Sequence, residues 1–408
     1  MLTVEDALAS ILNHVVSGPA TLTPLAQSLH RVLAEDLTTP HDSPPFDKSM
    51  MDGFAVVSDD FTAVGAQTLQ VLETITAGTV PTTSLRTRDA SRIMTGAPIP
   101  SGADCVVPIE QVSFDESVPK CVTIDHDVVS AEQNILRRGV IAEMGQPLTN
   151  AGTLLEPQHI AVLAEFGLAQ VPTVRRPTVA VLATGDELLA VDQPLTPGRI
   201  RNSNEPMLVS QTQRANATAV PLGVARDSRE DLHRHISRGL THDFLLLSGG
   251  VSAGTLDLVP SELAAAGVQQ VFHGVDMKPG KPLWFGQLQT PEHSCWVFGL
   301  PGNPVSSMVC FELFVRTAVR KFTGCSMPLP QPTPAALTKS ITVKGSRPVY
   351  FPCNLHLSDE GLQATPVAWG GSADLRSTAD ANGMCLLMPQ SDAYEAGDKV
   401  AAIHWSTM

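Results

Sequence analysis

The sequence predicts a multidomain α/β protein. A central, mostly parallel α/β domain follows a β-rich inserted domain and precedes a small C-terminal β-barrel. Three observations carry that expectation. Between residues 176 and 327, short apolar runs alternate with segments of helical spacing, as in a parallel sheet covered by helices. Across 46–140, brief β-branched runs alternate with Gly, Pro and Asp, the texture of short strands and tight turns. Beyond the Pro-rich linker at 328–334, short strands and turn signals such as Asp359-Glu360-Gly361 run to the end, which suits a small barrel.

Taken in order, the elements follow from spacing. Thr3 is an N-cap for a helix over 3–16, with Val4, Leu8, Ile11, Leu12 and Val15 on one face. Helical spacing recurs at 157–166, and 1–45 with 141–175 is expected to form one discontinuous N-terminal domain around the insertion at 46–140. In 176–327 the reading gives a strand at 178–182, a helix at 204–215 and a strand at 218–224. Ser228 then caps a helix to 239, followed by a strand at 243–247, a helix at 257–266 and a strand at 269–277. Strands near 283 and 296 and a long helix over 304–322 complete the domain. Residues 328–408 form the barrel domain.

Composition narrows the function. The 408 residues carry a formal net charge of −14, which argues against nonspecific nucleic-acid and anionic-membrane binding. No uninterrupted apolar run reaches membrane-spanning length, and the acidic start lacks the pattern of a signal peptide. Seven cysteines without a C-x-x-C pair suit buried thiols in a reducing cytoplasm.

The chemistry concentrates where strands end. The run at 244–247 empties into Ser248-Gly249-Gly250, whose small residues let backbone N–H groups approach an anion. The same stretch, Gly250-Val251-Ser252-Ala253-Gly254, also fits G-x-S-x-G, which would make Ser252 an acyl-transfer nucleophile. Four further strand ends carry polar loops: Thr184-Gly185-Asp186-Glu187, Arg226-Asp227-Ser228, Lys278-Pro279-Gly280-Lys281-Pro282 and Gly299-Leu300-Pro301-Gly302-Asn303-Pro304. In a parallel sheet these loops share one edge. Asp186, Glu187, Asp227 and Asp257 offer hard oxygen ligands suited to Mg²⁺, and Lys278 and Lys281, flanked by prolines, suit oxyanions. Read singly, Asp227-Ser228 is also a helix cap, Asp186 a turn residue and the lysines solvated surface groups. The insertion adds polar turns around Asp52 and Thr95 and the pair Arg137-Arg138.

Taken together, segments 46–56, 92–111, 134–139, 176–188, 245–254, 278–282 and 299–306 resemble the molybdopterin molybdenumtransferase family, the bacterial MoeA enzymes and the gephyrin E domain. They do so in order and spacing, from the chain start to about residue 325. The barrel matches in length, texture and a few positions, such as Arg347 and Gly371-Ser372. Two motifs depart from the family pattern. Lys48-Ser49-Met50-Met51-Asp52-Gly53-Phe54 replaces Asn-Ser-Ala-Met-Asp-Gly-Tyr, and Thr255-Leu256-Asp257-Leu258 keeps one carboxylate and lacks the tyrosine.

The resemblance implies a molybdopterin-binding, MogA-like central domain and the last step of molybdenum cofactor synthesis. With Mg²⁺, molybdate would be inserted into the dithiolene of adenylated molybdopterin and AMP released. It implies catalytic roles for Asp52, Thr95, Glu187, Asp227, Asp257, Lys278 and Lys281, with Asp186, Glu187, Asp227 and Asp257 on the metal. Cofactor contacts would come from Arg137, Arg138, Ser248, Gly249, Gly250, Ser252, Pro301, Gly302 and Asn303. It further implies a homodimer whose inserted domain serves the partner's α/β cleft, and docking to a molybdopterin adenylyltransferase and to acceptor molybdoenzymes or their chaperones. The alternatives are a serine hydrolase acting through Ser252, a molybdopterin adenylyltransferase, which would lack the insertion and the barrel, and a non-catalytic cofactor-binding scaffold.

Overall fold

The computed structural model describes residues 1–251, 258–343, 345–389 and 393–405. The chain packs as two units. One comprises Met1–Glu35, Ala151–Ala164 and Leu168–Met408, the other Asp36–Asn150 with Glu165–Gly167.

The first unit is built on a six-stranded sheet. Its order is Thr218–Ala225, Thr178–Thr184, Phe244–Ser248, Ser294–Leu300, Trp284–Gln289, Gln269–His273. The first four strands are mutually parallel, and Trp284–Gln289 is antiparallel to both its neighbours. Gln269–His273 therefore runs with the parallel four, and five strands end on one edge. Both faces of the sheet are covered, which explains the near-continuous apolar strands. Val179, Val181, Phe244 and Leu246 enter one core with the N-terminal helix and Phe298; Ala180, Leu182, Leu245 and Leu247 enter the other.

The helix Val4–His14 begins at a capping box, in which Asp6 N–H donates to Thr3 Oγ1 at 3.0 Å, and buries Val4, Ala7, Leu8 and Ile11. The long C-terminal helix of the domain is continuous, but its middle turn is wider. Pro304–Cys310 and Arg316–Phe322 are α-helical and Phe311–Val315 is a π turn. Residues 274–277 are not part of the strand predicted over 269–277, which ends at His273. Gly274 turns the chain at φ +91°, and Val275 and Asp276 pair with Leu2 instead.

An ion pair with a buried carboxylate pins the start of the sheet. Arg175 Nη1 donates to Asp243 Oδ2 at 2.7 Å, and Thr178 N–H and Oγ1 donate to the same oxygen at 2.8 and 3.0 Å. Burial pushes the Asp243 carboxyl up, but the Arg175 guanidinium and the Thr178 donors outweigh it and hold the group below its ordinary value. The folded pKa thus lies below the unfolded value of about 3.9. The stabilisation is complete above that pH and is lost as pH falls through the folded value. Asp243→Asn should therefore flatten the acid limb. Urea midpoints taken at pH 7 and near pH 3 should differ less in the variant than in the wild type.

The C-terminal region closes into a barrel of Thr333–Leu337, Gly361–Pro366, Val349–Ser358, Gly383–Leu387 and Lys399–His404. The linker expected over 328–334 ends inside its first strand. The second unit carries its own six-stranded sheet, in the order Cys105–Pro108, Gly53–Val56, Asp89–Ile93, Ala66–Ile75, Cys121–Asp125, Val112–Phe114. It has apolar clusters around Phe54 and Leu69 and around Ile75 and Ile93.

Candidate functional site

Topology locates the site before any side chain is considered. The chain leaves Thr178–Thr184 toward one side of the sheet and, after Thr218–Ala225, returns to the opposite side at Phe244–Ser248. Adjacent strands whose connections diverge leave a crevice beyond their carboxyl ends, where ligands bind in open α/β sheets. That crevice lies between Thr184 and Ser248.

The Ser-Gly-Gly loop is shaped by that crevice. Gly249 and Gly250 sit at φ +96° and +64°. A Cβ at Gly249 would lie 2.8 Å from Thr184 O, and one at Gly250 would lie 2.7 Å from Val259 Cγ2, so neither position accepts a side chain. Asn204, at the start of the helix Asn204–Arg214, joins two loops: its Nδ2 donates to Ser248 Oγ and to Gly302 O, both at 2.7 Å. Gly249 N–H donates to Leu300 O at 3.2 Å, which draws the 301–303 turn close. Ser248, Gly249, Gly250, Pro301, Gly302 and Asn303 therefore form one wall. Two buried oxygens, Thr184 Oγ1 and Asn204 Oδ1, have no hydrogen-bond partner among the described residues.

A cleft of about 270 Å³ opens beside this wall, lined by Lys278, Lys281, Pro301, Asn303, Ser306, Arg347, Trp369 and Ser372. The barrel builds part of it. Lys278 N–H donates to Pro348 O at 2.9 Å and Lys278 C=O accepts from Tyr350 N–H at 2.8 Å. Arg347 Nη1 donates to Met277 O at 3.1 Å, and Asn303 Nδ2 donates to Ser372 Oγ at 3.0 Å. Three cationic side chains thus share a small recess in a strongly acidic chain. Such a recess concentrates oxyanions.

The carboxylates are arranged less tightly than the sequence suggests. Ser228 Oγ caps the helix Arg229–Gly239, which leaves Asp227 free of that role. Asp227 Oδ2 instead accepts Asp186 N–H at 3.3 Å across the strand ends. Asp186 C=O accepts a hydrogen bond from Arg199. The carboxylates of Asp186, Glu187 and Asp227 are not gathered into a tight cluster. Among the described residues the one such group is Asp125, His126 and Asp127 in the inserted unit. There the two carboxylates already bracket the imidazole at 3.1 and 2.9 Å. Ser252 and Asp257 lie outside the described residues.

In the second unit, Asp52 Oδ1 accepts Thr95 N–H and Thr95 Oγ1–H, each at 2.7 Å. The Thr95 N–H, then its hydroxyl, hold the Asp52 carboxyl below its ordinary value, so it is ionised at neutral pH. Arg137 donates Nε to Glu132 at 2.6 Å and Nη1 to Asp47 at 2.5 Å, and Arg138 donates Nε to Asp42 at 2.6 Å. Both arginines are therefore engaged with carboxylates. Sequence reasoning did not single out Asn204, Ser306 or Trp369. An Asn opening a helix reads as a cap, yet Asn204 is spent on bridging two loops.

Residues 2–167 match the MoeA N-terminal region (domain I and II), 180–321 a probable molybdopterin binding domain, and 334–405 the MoeA C-terminal region (domain IV). The chain is 36% identical over 407 residues to a molybdopterin molybdenumtransferase of Bacillus subtilis, covering 98% of this chain and 93% of that protein. It is 34% identical to one from Staphylococcus aureus, covering 98% and 94%. The crystal structure of a molybdopterin biosynthesis MoeA protein from Pyrococcus horikosii superposes over the full length of both chains, with a TM-score of 0.85 and 28% identity.

Proposed function

The chain belongs to the molybdopterin molybdenumtransferase family, enzymes of molybdenum cofactor biosynthesis; from this premise we propose that it carries out the final step, inserting molybdate into the dithiolene of adenylated molybdopterin and releasing AMP. The observation that supports this most directly is the cationic cleft of Lys278, Lys281 and Arg347 beside the glycine-lined wall at the sheet's switch point. The comparisons favour neither a serine hydrolase nor a non-catalytic scaffold.

In this reading the lysines and Arg347 hold the tetrahedral oxyanion by charge, and Ser306 and Ser372 add hydroxyls to the same recess. Gly249 and Gly250, where no side chain fits, let the phosphates approach the loop closely, and Asn204 keeps that loop in register with Gly302. The edge fits Mg²⁺ by donor chemistry. Asp227, Glu187 and Asp186 supply only oxygen, and the buried Thr184 Oγ1 lacks a partner among the described residues. Asp257 would join them. Mg²⁺, when bound, polarises the phosphoanhydride and offsets charge on the departing AMP. Asp52, fixed and ionised by Thr95, is the acceptor the inserted domain brings to the reaction.

The test is AMP release from adenylated molybdopterin by the purified protein, with molybdate and Mg²⁺ each supplied or omitted. Release that needs both, with a product that activates a molybdenum-free apoenzyme, is the expected result. Tight binding without release would replace the transferase reading with a carrier. Asp257→Asn should lower turnover at least about tenfold with an unchanged melting temperature; full activity would remove Asp257 from the site.

We further propose that the protein is a cytoplasmic homodimer in which the inserted domain of one copy serves the cleft of the other. It would receive its substrate from a molybdopterin adenylyltransferase and pass the product to acceptor molybdoenzymes or their chaperones. Among the described residues, no helix is long and apolar enough to cross a membrane. Mixing inactive Asp52→Ala and Lys278→Gln proteins should restore part of the activity through hybrid dimers. No recovery, once subunit exchange is confirmed, would overturn the shared site.

A further inference from the structure

A second cationic recess lies far from the cleft. The helix Asn204–Arg214 and the helical run from Pro304 to Phe322 both begin at the candidate site and extend roughly 16 and 28 Å from it at 1.5 Å per residue. Near their far ends, Arg214, Arg316 and Arg320 line a cavity of about 50 Å³ together with Asn216 and Trp405. It shares no lining residue with the 278–282 cleft.

The charges within it do not balance. Glu312, fully buried, is the carboxylate paired with these arginines: Gln211 Nε2 and an Arg214 nitrogen reach Oε1, and Arg316 Nη1 lies 3.1 Å from Oε2. Arg316, itself 7% exposed, also donates to Trp405 O at 2.8 Å and to His404 O at 3.3 Å. Arg320 forms no ion pair among the described residues, although it stands one helical turn from Arg316, where like charges repel. Burial lowers the Arg316 pKa, and Arg320 and Arg214 lower it further against the pull of Glu312. One more donor is unspent. Trp405, which is 5% exposed and lines the cavity, has an indole N–H without a partner among the described residues.

We infer that this recess is a second binding site, for a single tetrahedral oxyanion held by Arg214, Arg320 and the indole N–H of Trp405. Size limits the occupant. The volume exceeds what one water needs, on the order of 10–15 Å³, and falls far short of the several hundred Å³ typical of a nucleotide-sized ligand. An oxyanion with several acceptor lone pairs supplies the countercharge Arg320 lacks and the acceptor Trp405 lacks. Sulfate, phosphate and molybdate share this chemistry.

The experiment is equilibrium dialysis of full-length protein against radiolabelled sulfate at fixed ionic strength. It is performed in a Lys278→Gln/Lys281→Gln background, so that the cleft does not contribute. Saturable binding of one sulfate per chain is expected. Arg320→Gln should weaken it at least tenfold and Trp405→Phe severalfold, while Arg320→Lys should retain most of it. Circular dichroism without sulfate establishes that each variant is folded. Competition with molybdate and phosphate identifies the natural occupant as whichever displaces sulfate at the lower concentration, and either order supports the site. Absence of saturable binding, or binding indifferent to both Arg320→Gln and Trp405→Phe, would overturn the inference.

Discussion

Lys278→Gln should lower the rate of molybdenum transfer by roughly two orders of magnitude, in line with the loss of one group that stabilises developing charge. It should leave the thermal unfolding midpoint where it is. The separation of effects comes from how Lys278 is held. Its N–H and C=O are both committed to the barrel, at Pro348 and Tyr350, and Pro279 follows it, while its side chain is exposed in the cleft. Glutamine keeps the stem and the polar end and removes only the charge. Steady-state kinetics beside a melting curve would check this. A loss smaller than about threefold would take the ammonium out of the reaction, and a large fall in melting temperature would make the residue structural.

Glu312→Ala should produce the largest loss of stability, about 3–5 kcal/mol, the range for breaking a buried ion pair by removing one partner. Glu312 sits in the π turn Phe311–Val315 with no solvent exposure and faces Arg214 and Arg316. Without it, the buried Arg316 loses its carboxylate partner in a region already rich in guanidinium groups. A control sets the scale. Arg92 and Glu116 also pair at 2.9 Å, but the Glu116 side chain is 74% exposed. Glu116→Ala should therefore cost no more than about 1 kcal/mol. Urea unfolding of the two variants side by side would decide. Equal effects would mean that Glu312 is far better solvated than its burial indicates.

The strands were readable because burial on both faces leaves a plain mark, as in Phe244–Ser248, where every residue is buried. The N-terminal helix was readable from Thr3 onward for a similar reason: its cap and its apolar face are both local patterns. Strand direction was less visible, although one clue was present. Only four residues separate Trp284–Gln289 from Ser294–Leu300, too few for a parallel crossover, which needs a dozen or more. The π turn left no trace, since helical periodicity over 304–322 tolerates one wide turn. At the site, the glycines and lysines declared themselves by type and position. Asn204 and Trp369 did not, because their contribution depends on tertiary contacts with loops distant in sequence. The sequence suggested a tighter set of carboxylates than Asp186, Glu187 and Asp227 form, since side-chain direction in exposed loops is not written in spacing.

The course of the chain at residues 35 and 151 has a consequence for how such a protein could be divided. On one side of that junction, Leu33 N–H donates to Thr153 O and Gly152 N–H donates to Leu33 O. On the other, Leu37–Thr38 pairs antiparallel with Pro147–Thr149. Each unit therefore fastens its own two cut ends with backbone hydrogen bonds. A segment whose ends already meet can be removed and replaced by a short turn at little cost in loop-closure entropy. The 36–150 segment is in that sense a cassette: an exchangeable part that could be moved between relatives without redesigning the host.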